Sequence, residues 1–427
     1  MNNFPPPVVD PRYMFIDFNA FFASVEQHDD PALAGQPVIV TPLASEHSGA
    51  IAVSYEAKAF GITRGTSVQD ARRLCPSIVV RPARHGRYVE IHGQLMAEIG
   101  RHLPITRIHS IDECLCRLSR EEQLPAVAEA KARQIKQGIR EAIGPSLRCS
   151  IGLASSPLLA KLASDLVKPD GLVFLPVTSL PGALSELPLW AIPGIGSGIG
   201  ARLEKAGICD FDGLWAIEPR HARMVWGSVE GERFIRGLHG CDIPLTVEPQ
   251  AKRMIGHSRV LGGRDRRSDR ARIVAQALLL KAASRLRRYG LYATAMHVGM
   301  RFYPEGAITH DMVFRATQNS WRFLEGLDEF WMPAMAAFRR HQSRVTPKLV
   351  TVYLSGLQPR PAEPDLFIGA DDDARDARQA ALWSGIDRLN QRYGGKKVML
   401  ASHHDLDLDY LGVKIAFSRI PDATEFI

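Results

Sequence analysis

The pattern of apolar and polar positions divides this 427-residue chain into three kinds of stretch. Tyr13-Met14-Phe15-Ile16-Asp17-Phe18 is an apolar, β-prone run with a carboxylate at its end, and Ala20-Phe21-Phe22-Ala23-Ser24-Val25-Glu26 after it is compatible with a helix. A second β-prone stretch covers residues 105–118 and is interrupted by Asp112-Glu113. Residues 121–143 read as a helix, 148–153 as a strand, 157–167 as a helix and 171–175 as a strand, and this alternation predicts an α+β sheet domain. Residues 187–238 predict short helices separated by Gly and Pro, a small all-helical unit. The next stretch predicts a strand at 253–261, a helix at 271–289, strands at 295–302 and 309–316, a helix at 320–340 and a strand at 348–354. That β-α-β-β-α-β order is ferredoxin-like. Beyond Gly356 the chain is Pro-rich and then acidic over 359–373, helical over 374–393 and less regular afterwards.

Length leaves room for about three domains. Apolar residues make up 45% and charged residues 23%, ordinary values that exclude a disordered, collagen-like or low-complexity chain. No apolar run is long enough to cross a bilayer, and the opening Met1-Asn2-Asn3-Phe4-Pro5-Pro6-Pro7 lacks the basic and apolar regions of a signal peptide, so a cytosolic protein with no membrane partner is expected. Six scattered cysteines fit neither a disulfide framework nor a zinc site and are expected to be reduced.

Charge changes the picture more. The net charge of +7 suggests a polyanionic partner. Residues 251–301 hold thirteen basic side chains against only Asp265 and Asp269. A solvated face normally mixes both signs, so this excess points to a gripped polyanion.

Asp17 and the pair Asp112-Glu113 lie in or beside strand-like runs, where an unpaired charge is costly. A single such Asp is most simply exposed or salt-bridged. Three together suit divalent cations, and magnesium takes one or two carboxylates plus substrate phosphate oxygens. Two such ions can serve nucleotidyl transfer. Neighbours on a regular strand face opposite sides, so Asp112 and Glu113 can share a site only where the strand bends.

Four motifs in order carry a resemblance: 17–26 (Asp-Phe-Asn-Ala-Phe-Phe-Ala-Ser-Val-Glu), Ser54-Tyr55-Glu56-Ala57-Lys58, Ser110-Ile111-Asp112-Glu113, and 159–165 with Lys168-Pro169-Asp170-Gly171. Together they resemble the Y-family (DinB/UmuC-type) translesion DNA polymerases over about residues 13–356. The resemblance implies an α+β multidomain right hand: a ferredoxin-like palm at 1–20 and 80–178, small fingers at 21–79, a helical thumb with a helix-hairpin-helix at 179–243, a β-α-β-β-α-β little finger at 251–356 and a tail at 357–427. It also implies low-fidelity, template-directed synthesis past damaged bases, with primer-template DNA and deoxynucleoside triphosphates as substrates and two Mg2+ ions as cofactors.

By the same likeness Asp17, Asp112, Glu113 and the Phe18 carbonyl are metal ligands, with Asp112 and Glu113 catalytic. Asn19 departs from the DinB pattern and agrees with the UmuC one. Phe22 matches the steric gate against a ribose 2′-hydroxyl, while neighbouring Phe21 suits core packing. Tyr55, Lys58 and Lys161 match triphosphate contacts. Lys58 stands where the family usually has Arg, and it supplies a point charge without the bidentate fork. Pro193-Gly194-Ile195-Gly196 resembles a helix-hairpin-helix turn, so Gly194 and Gly196 are expected at DNA phosphates. Arg253, Arg259, Arg285 and Arg288 are expected on the duplex backbone. Glu363-Pro364-Asp365-Leu366-Phe367 resembles the Leu-Phe peptides that bind the sliding clamp, with Leu366 and Phe367 as the anchors. The competing reading is a non-catalytic ImuB-like accessory protein that binds DNA and the clamp, but such adaptors lack the metal-binding acids.

Overall fold

Tyr13–Phe18 (β1) is buried on both faces, as its unbroken apolar run requires, and forms the middle strand of a five-stranded sheet. The computed structural model describes residues 10–43, 45–243, 252–303, 305–341, 345–359, 370–393, 397–406 and 420–421. The chain divides into two compact units, Met1–Thr246 with Val413–Phe426, and Val247–Gly412.

In the first unit β1 pairs antiparallel with Glu113–Arg117 and Cys149–Ala154. With Val38–Thr41 (β2), Ala52–Val53 (β3) and Val79–Pro82 (β4) set apart in a small sheet of their own, the large sheet runs Ile105–Ser110 (β5), Glu113–Arg117 (β6), β1, Cys149–Ala154 (β7), Leu172–Leu175 (β8). Only the β7–β8 pair in it is parallel. Residues 105–118, expected as one interrupted strand, are thus a hairpin whose turn is Ile111-Asp112.

Met14, Ile16 and Phe18 face a core built with Phe21–Asp29 (α1), His85–His102 (α4) and Pro125–Ala142 (α5). The small sheet and its own core, which includes Ile39, Val53 and Ile62, hold Tyr55–Lys58 (α2) and Val68–Leu74 (α3), capped by Ser54 and Ser67. The helix expected over 121–143 begins at Pro125, because proline suits the first turn, where its missing N–H leaves no bond unmade.

Tyr13 and Phe15 face the opposite core, with Pro157–Leu166 (α6) and the helices Ser197–Lys205 (α7), Phe211–Ala216 (α8), Pro219–Trp226 (α9) and Val229–Leu238 (α10). Gly152 on β7 lets α6 close onto the sheet: a Cβ there would lie 2.1 Å from the Ala160 carbonyl oxygen and 2.4 Å from the Ser164 nitrogen. After α10 the chain is clasped back to the sheet. Asp242 accepts hydrogen bonds from the Tyr13 hydroxyl at 2.5 Å and Arg117 Nη2 at 2.6 Å.

The second unit has the expected element order: Met254–Val260 (β9), Ser268–Arg288 (α11), Ala293–Tyr303 (β10), Ala307–Thr317 (β11), Ser320–His341 (α12) and Thr346–Ser355 (β12). Its sheet runs β11-β10-β12-β9, with every neighbour antiparallel. Helices α11 and α12 bury Val274, Leu278, Phe323, Leu327 and Trp331 against it. Residues expected as part of a tail form Ala370–Arg392 (α13), which belongs to this core through buried Trp383 and an Arg287–Asp387 ion pair at 2.6 Å.

Gly152→Ala tests the close approach of α6. The added methyl meets backbone, so stability should fall by about 1–3 kcal/mol in a chemical melt. Gly198→Ala, in helix α7 with open space around its Cβ, should instead leave stability equal or raise it by up to about 1 kcal/mol.

Candidate active site

Asp17 comes at the end of β1 on the Tyr13 and Phe15 face, and is 6% exposed. Glu113 is its direct partner across the β1–β6 ladder, so the two side chains share a face. Asp112 sits in the hairpin turn, outside the strand alternation that would have sent it to the other face, and its carbonyl accepts the Phe18 N–H at 2.8 Å. The turn therefore supplies the bend that the adjacent acids need. Ser110 Oγ donates to Asp112 Oδ1 at 2.5 Å.

Helix α6 lies over this face and adds cations. Lys161 Nζ donates to Asp17 Oδ2 at 2.5 Å and Glu113 Oε1 at 2.7 Å, and lies 3.3 Å from Asp165 Oδ1. Lys168 Nζ, just beyond the helix, is 2.9 Å from Asp17 Oδ2 and 2.7 Å from Asp165 Oδ1. The loop bearing Lys168 is braced by Asn19, whose Oδ1 accepts the Asp170 N–H at 2.7 Å while its Nδ2 donates to Ser150 Oγ at 3.1 Å. Asn19 is thus a structural brace here. Ala20 next to it takes a left-handed conformation (φ 49°) that turns the chain from strand to helix, a strained geometry of the kind found at functional sites.

Burial would lower the Lys161 ammonium, but Asp17, Glu113 and Asp165 more than reverse it and hold its pKa above the ordinary value. Lys168 is raised for the same reason, by Asp17 and Asp165. Burial pushes the Asp112 carboxyl up, as does Asp17, against the Ser110 hydrogen bond. Burial also raises Glu113, with Lys161 opposing. Four carboxylates face Lys161, Lys168 and, from α2, Lys58, so the acids outnumber the ammoniums. Among the described residues no three His, Cys, Asp or Glu side chains converge enough to hold a metal ion as they stand, because Lys161 lies between Asp17 and Glu113. The donor chemistry still fits magnesium: hard oxygens only, with uncompensated charge around them.

Lys58 and Tyr55 on α2 turn toward the same cluster. The Lys58 ammonium lies over the Tyr55 ring, 4.0 Å from its centre. Its pKa is lowered by burial and by Lys168, while Asp17 pulls it up. Phe21 is core, 3% exposed, whereas half-buried Phe22 stacks on Tyr88 with ring centres 4.3 Å apart and planes 12° apart. Tyr88 is fixed in turn by donating to Glu26 Oε1 at 2.8 Å, and Glu26 is gripped by Arg84.

Other expected residues lie elsewhere. Gly194 has φ +96°, which only glycine adopts freely, and precedes α7, whose cap residue Gly196 makes no side-chain cap. Both glycines are exposed. Arg253 and Arg288 are exposed too, and Arg285 is half-buried. Arg259, also expected on the duplex backbone, is mostly enclosed: its side chain is 9% exposed and paired with Asp265 at 3.3 Å. The basic run as a whole is less unbalanced than its composition, since Asp328 pairs with Arg272 and Asp387 with Arg287 from far along the chain. Leu366 and Phe367 lie outside the described residues. Lys168 and Asp165 are the site residues that the sequence motifs contained but to which they assigned no role. The signal was the i,i+4 spacing of Lys161 and Asp165 on α6, with Lys168 three residues further on.

Residues 16–165 match the model of the impB/mucB/samB family, and 252–365 match that family's C-terminal domain. The chain belongs to the Y family of DNA polymerases. It is 32% identical over 356 residues to a DNA polymerase IV of Halorhodospira halophila, covering 83% of this chain and 98% of that one. A DNA polymerase IV of Moorella thermoacetica is 31% identical over 418 residues, 95% of this chain and 98% of that one. The fold resembles the Y-family DNA polymerase chimera Dbh-Dpo4(243-245)-Dbh, with TM-score 0.66, 21% identity, and coverage of 82% of this chain and 99% of the other. No described helix of this Y-family chain is long and apolar enough to cross a membrane.

Asp112 is raised in the fold, so its ionised form destabilises. That penalty is absent below its unfolded pKa and appears as pH rises through the folded value. Asp112→Asn should therefore raise the melting temperature at pH 7.5 in chelator, and the gain should fade as pH falls below the carboxylate range. A gain independent of pH would show that charge burial is not its cause.

Proposed function

We propose that this Y-family DNA polymerase extends a primer on damaged templates through a magnesium centre held by Asp17, Asp112, Glu113 and the Phe18 carbonyl. The observation that carries this reading is the placement of Asp17 opposite Glu113 with Asp112 on the adjoining turn, three acids on one rim of the sheet. Two bound magnesium ions would activate the primer 3′-hydroxyl, stabilise charge at the α-phosphorus and hold the leaving pyrophosphate.

The chain's own residues supply the rest. Lys58, Lys161 and Lys168 meet the triphosphate as ammonium point charges, with Tyr55 beside Lys58 as a hydroxyl donor. Phe22, backed by the Tyr88 ring, stands as a wall against the sugar. The glycine turn at Gly194 and Gly196 offers backbone N–H groups to a DNA phosphate, and exposed Arg253 and Arg288, with Arg285, add salt-sensitive attraction to the backbone. Leu366 and Phe367 bind the sliding clamp, a reading that rests on their sequence motif. An ImuB-like adaptor would have no use for the buried acids, and the relatives named DNA polymerase IV favour the enzyme.

Primer extension on undamaged and abasic templates tests the proposal. Asp112→Ala should abolish incorporation while DNA affinity by fluorescence anisotropy stays unchanged, because the basic contacts remain. Retained extension would remove Asp112 from the metal centre. Phe22→Ala should raise ribonucleotide incorporation relative to deoxyribonucleotide, whereas Phe21→Ala should mainly cost about 3–5 kcal/mol of stability. Unchanged sugar discrimination in a folded Phe22→Ala protein would rule out the gate. Deleting Leu366 and Phe367 should abolish the stimulation of synthesis by added clamp.

A further inference from the structure

Asp17 Oδ2 receives two ammonium groups, Lys161 at 2.5 Å and Lys168 at 2.9 Å. The same two ammoniums also share Asp165 Oδ1, at 3.3 Å and 2.7 Å. Two lysines and two carboxylate oxygens thus close a ring. Its two acceptors are not equivalent: the Asp17 side chain is 9% exposed and the Asp165 side chain 32%. Asp17 is the inner acceptor, beside Glu113 and Asp112, and Asp165 the outer one.

We infer that Lys161 and Lys168 are resident counter-cations of the catalytic carboxylates, exchanged for metal when substrate arrives, and that Asp165 is the positioning residue that keeps them in place during the exchange. The inference rests on the reading of Asp17, Asp112 and Glu113 as the metal centre. An ion at Asp17 competes for the oxygen that both ammoniums occupy. A triphosphate offers those ammoniums new anionic oxygens, so it relieves the competition, and metal and nucleotide each favour the binding of the other. Asp165 matters because it follows Lys161 by one helical turn on α6 and precedes Lys168 by three residues. Lysines that leave Asp17 therefore keep a partner and stay at the rim. Without Asp165, Asp17 would be their main acceptor and would release them less readily.

The test is Mn2+ binding to the full chain without DNA, followed by electron paramagnetic resonance of the free ion, with and without a non-hydrolysable deoxynucleoside triphosphate. Lys161→Met and Lys168→Met should each tighten Mn2+ binding about tenfold without nucleotide, and should shrink the gain that nucleotide brings. Unchanged or weaker Mn2+ binding in both variants would overturn the inference. If Lys161→Met melts, Lys168→Met, in the loop beyond the helix, gives the same comparison. Adding Asp112→Asn to the tightened variant separates the two readings. Loss of the tight site supports both, while its survival places the ion elsewhere and overturns the metal centre together with this inference. Asp165→Asn should weaken Mn2+ binding in the wild-type background and have no effect in the Lys161→Met/Lys168→Met protein. An equal effect in both backgrounds would show that Asp165 acts on the ion directly, and would overturn its positioning role.

Discussion

A carboxylate buried at the end of the central strand is the constraint on which this structure depends. Asp17 is almost fully enclosed, and an ion removed from water at that depth is tolerated only with charge and hydrogen bonds around it. Lys161 and Lys168 provide them, which ties the sheet to α6 and the loop behind it. Gly152 is needed for α6 to come close enough. The compensation is incomplete, because Glu113 and Asp112 crowd the same rim and are themselves pushed up by burial. That crowding is a local cost in stability, and a divalent cation at the rim would offset it.

Around this centre the positions are set by a second layer of hydrogen bonds. Asn19 and Ser150 hold the loop that presents Lys168, and Glu26 with Arg84 holds the Tyr88 ring on which Phe22 rests. Rigid placement follows for Lys168 and Phe22, since each is held by partners that are themselves bonded. Lys58 approaches from a separate small sheet and feels both Asp17 and Lys168. Cations therefore reach the carboxylate cluster from helices packed in two different cores, α6 in one and α2 in the other.

In the second unit the arginines differ in exposure. Arg259, Arg272 and Arg287 pair with Asp265, Asp328 and Asp387, and the Arg253 and Arg288 residues are exposed. The acids for Arg272 and Arg287 are 56 and 100 positions away along the chain, so a local charge count overstates the free positive charge. Helix α13 joins this core for a similar reason: Trp383 and Asp387 find partners on α11 and α12, which no local pattern discloses.

Most elements were legible in the sequence, because burial of one face or both imposes a period that the residues must obey. Strand β1 and helices α6, α11 and α12 appear where their apolar positions place them, and the carboxylates stand out because charge is rare in such runs. The hairpin at 111–112 was not legible, since its turn carries none of the Gly or Asn signals that mark tight hairpins. Sequence alone thus determined which residue types the site contains and which elements carry them. Only the tertiary structure decided that Asp17 faces Glu113, that two lysines sit on one oxygen, and that Asp165 shares them. Those relations depend on strand register and on how close a helix lies, distances that chain order does not encode.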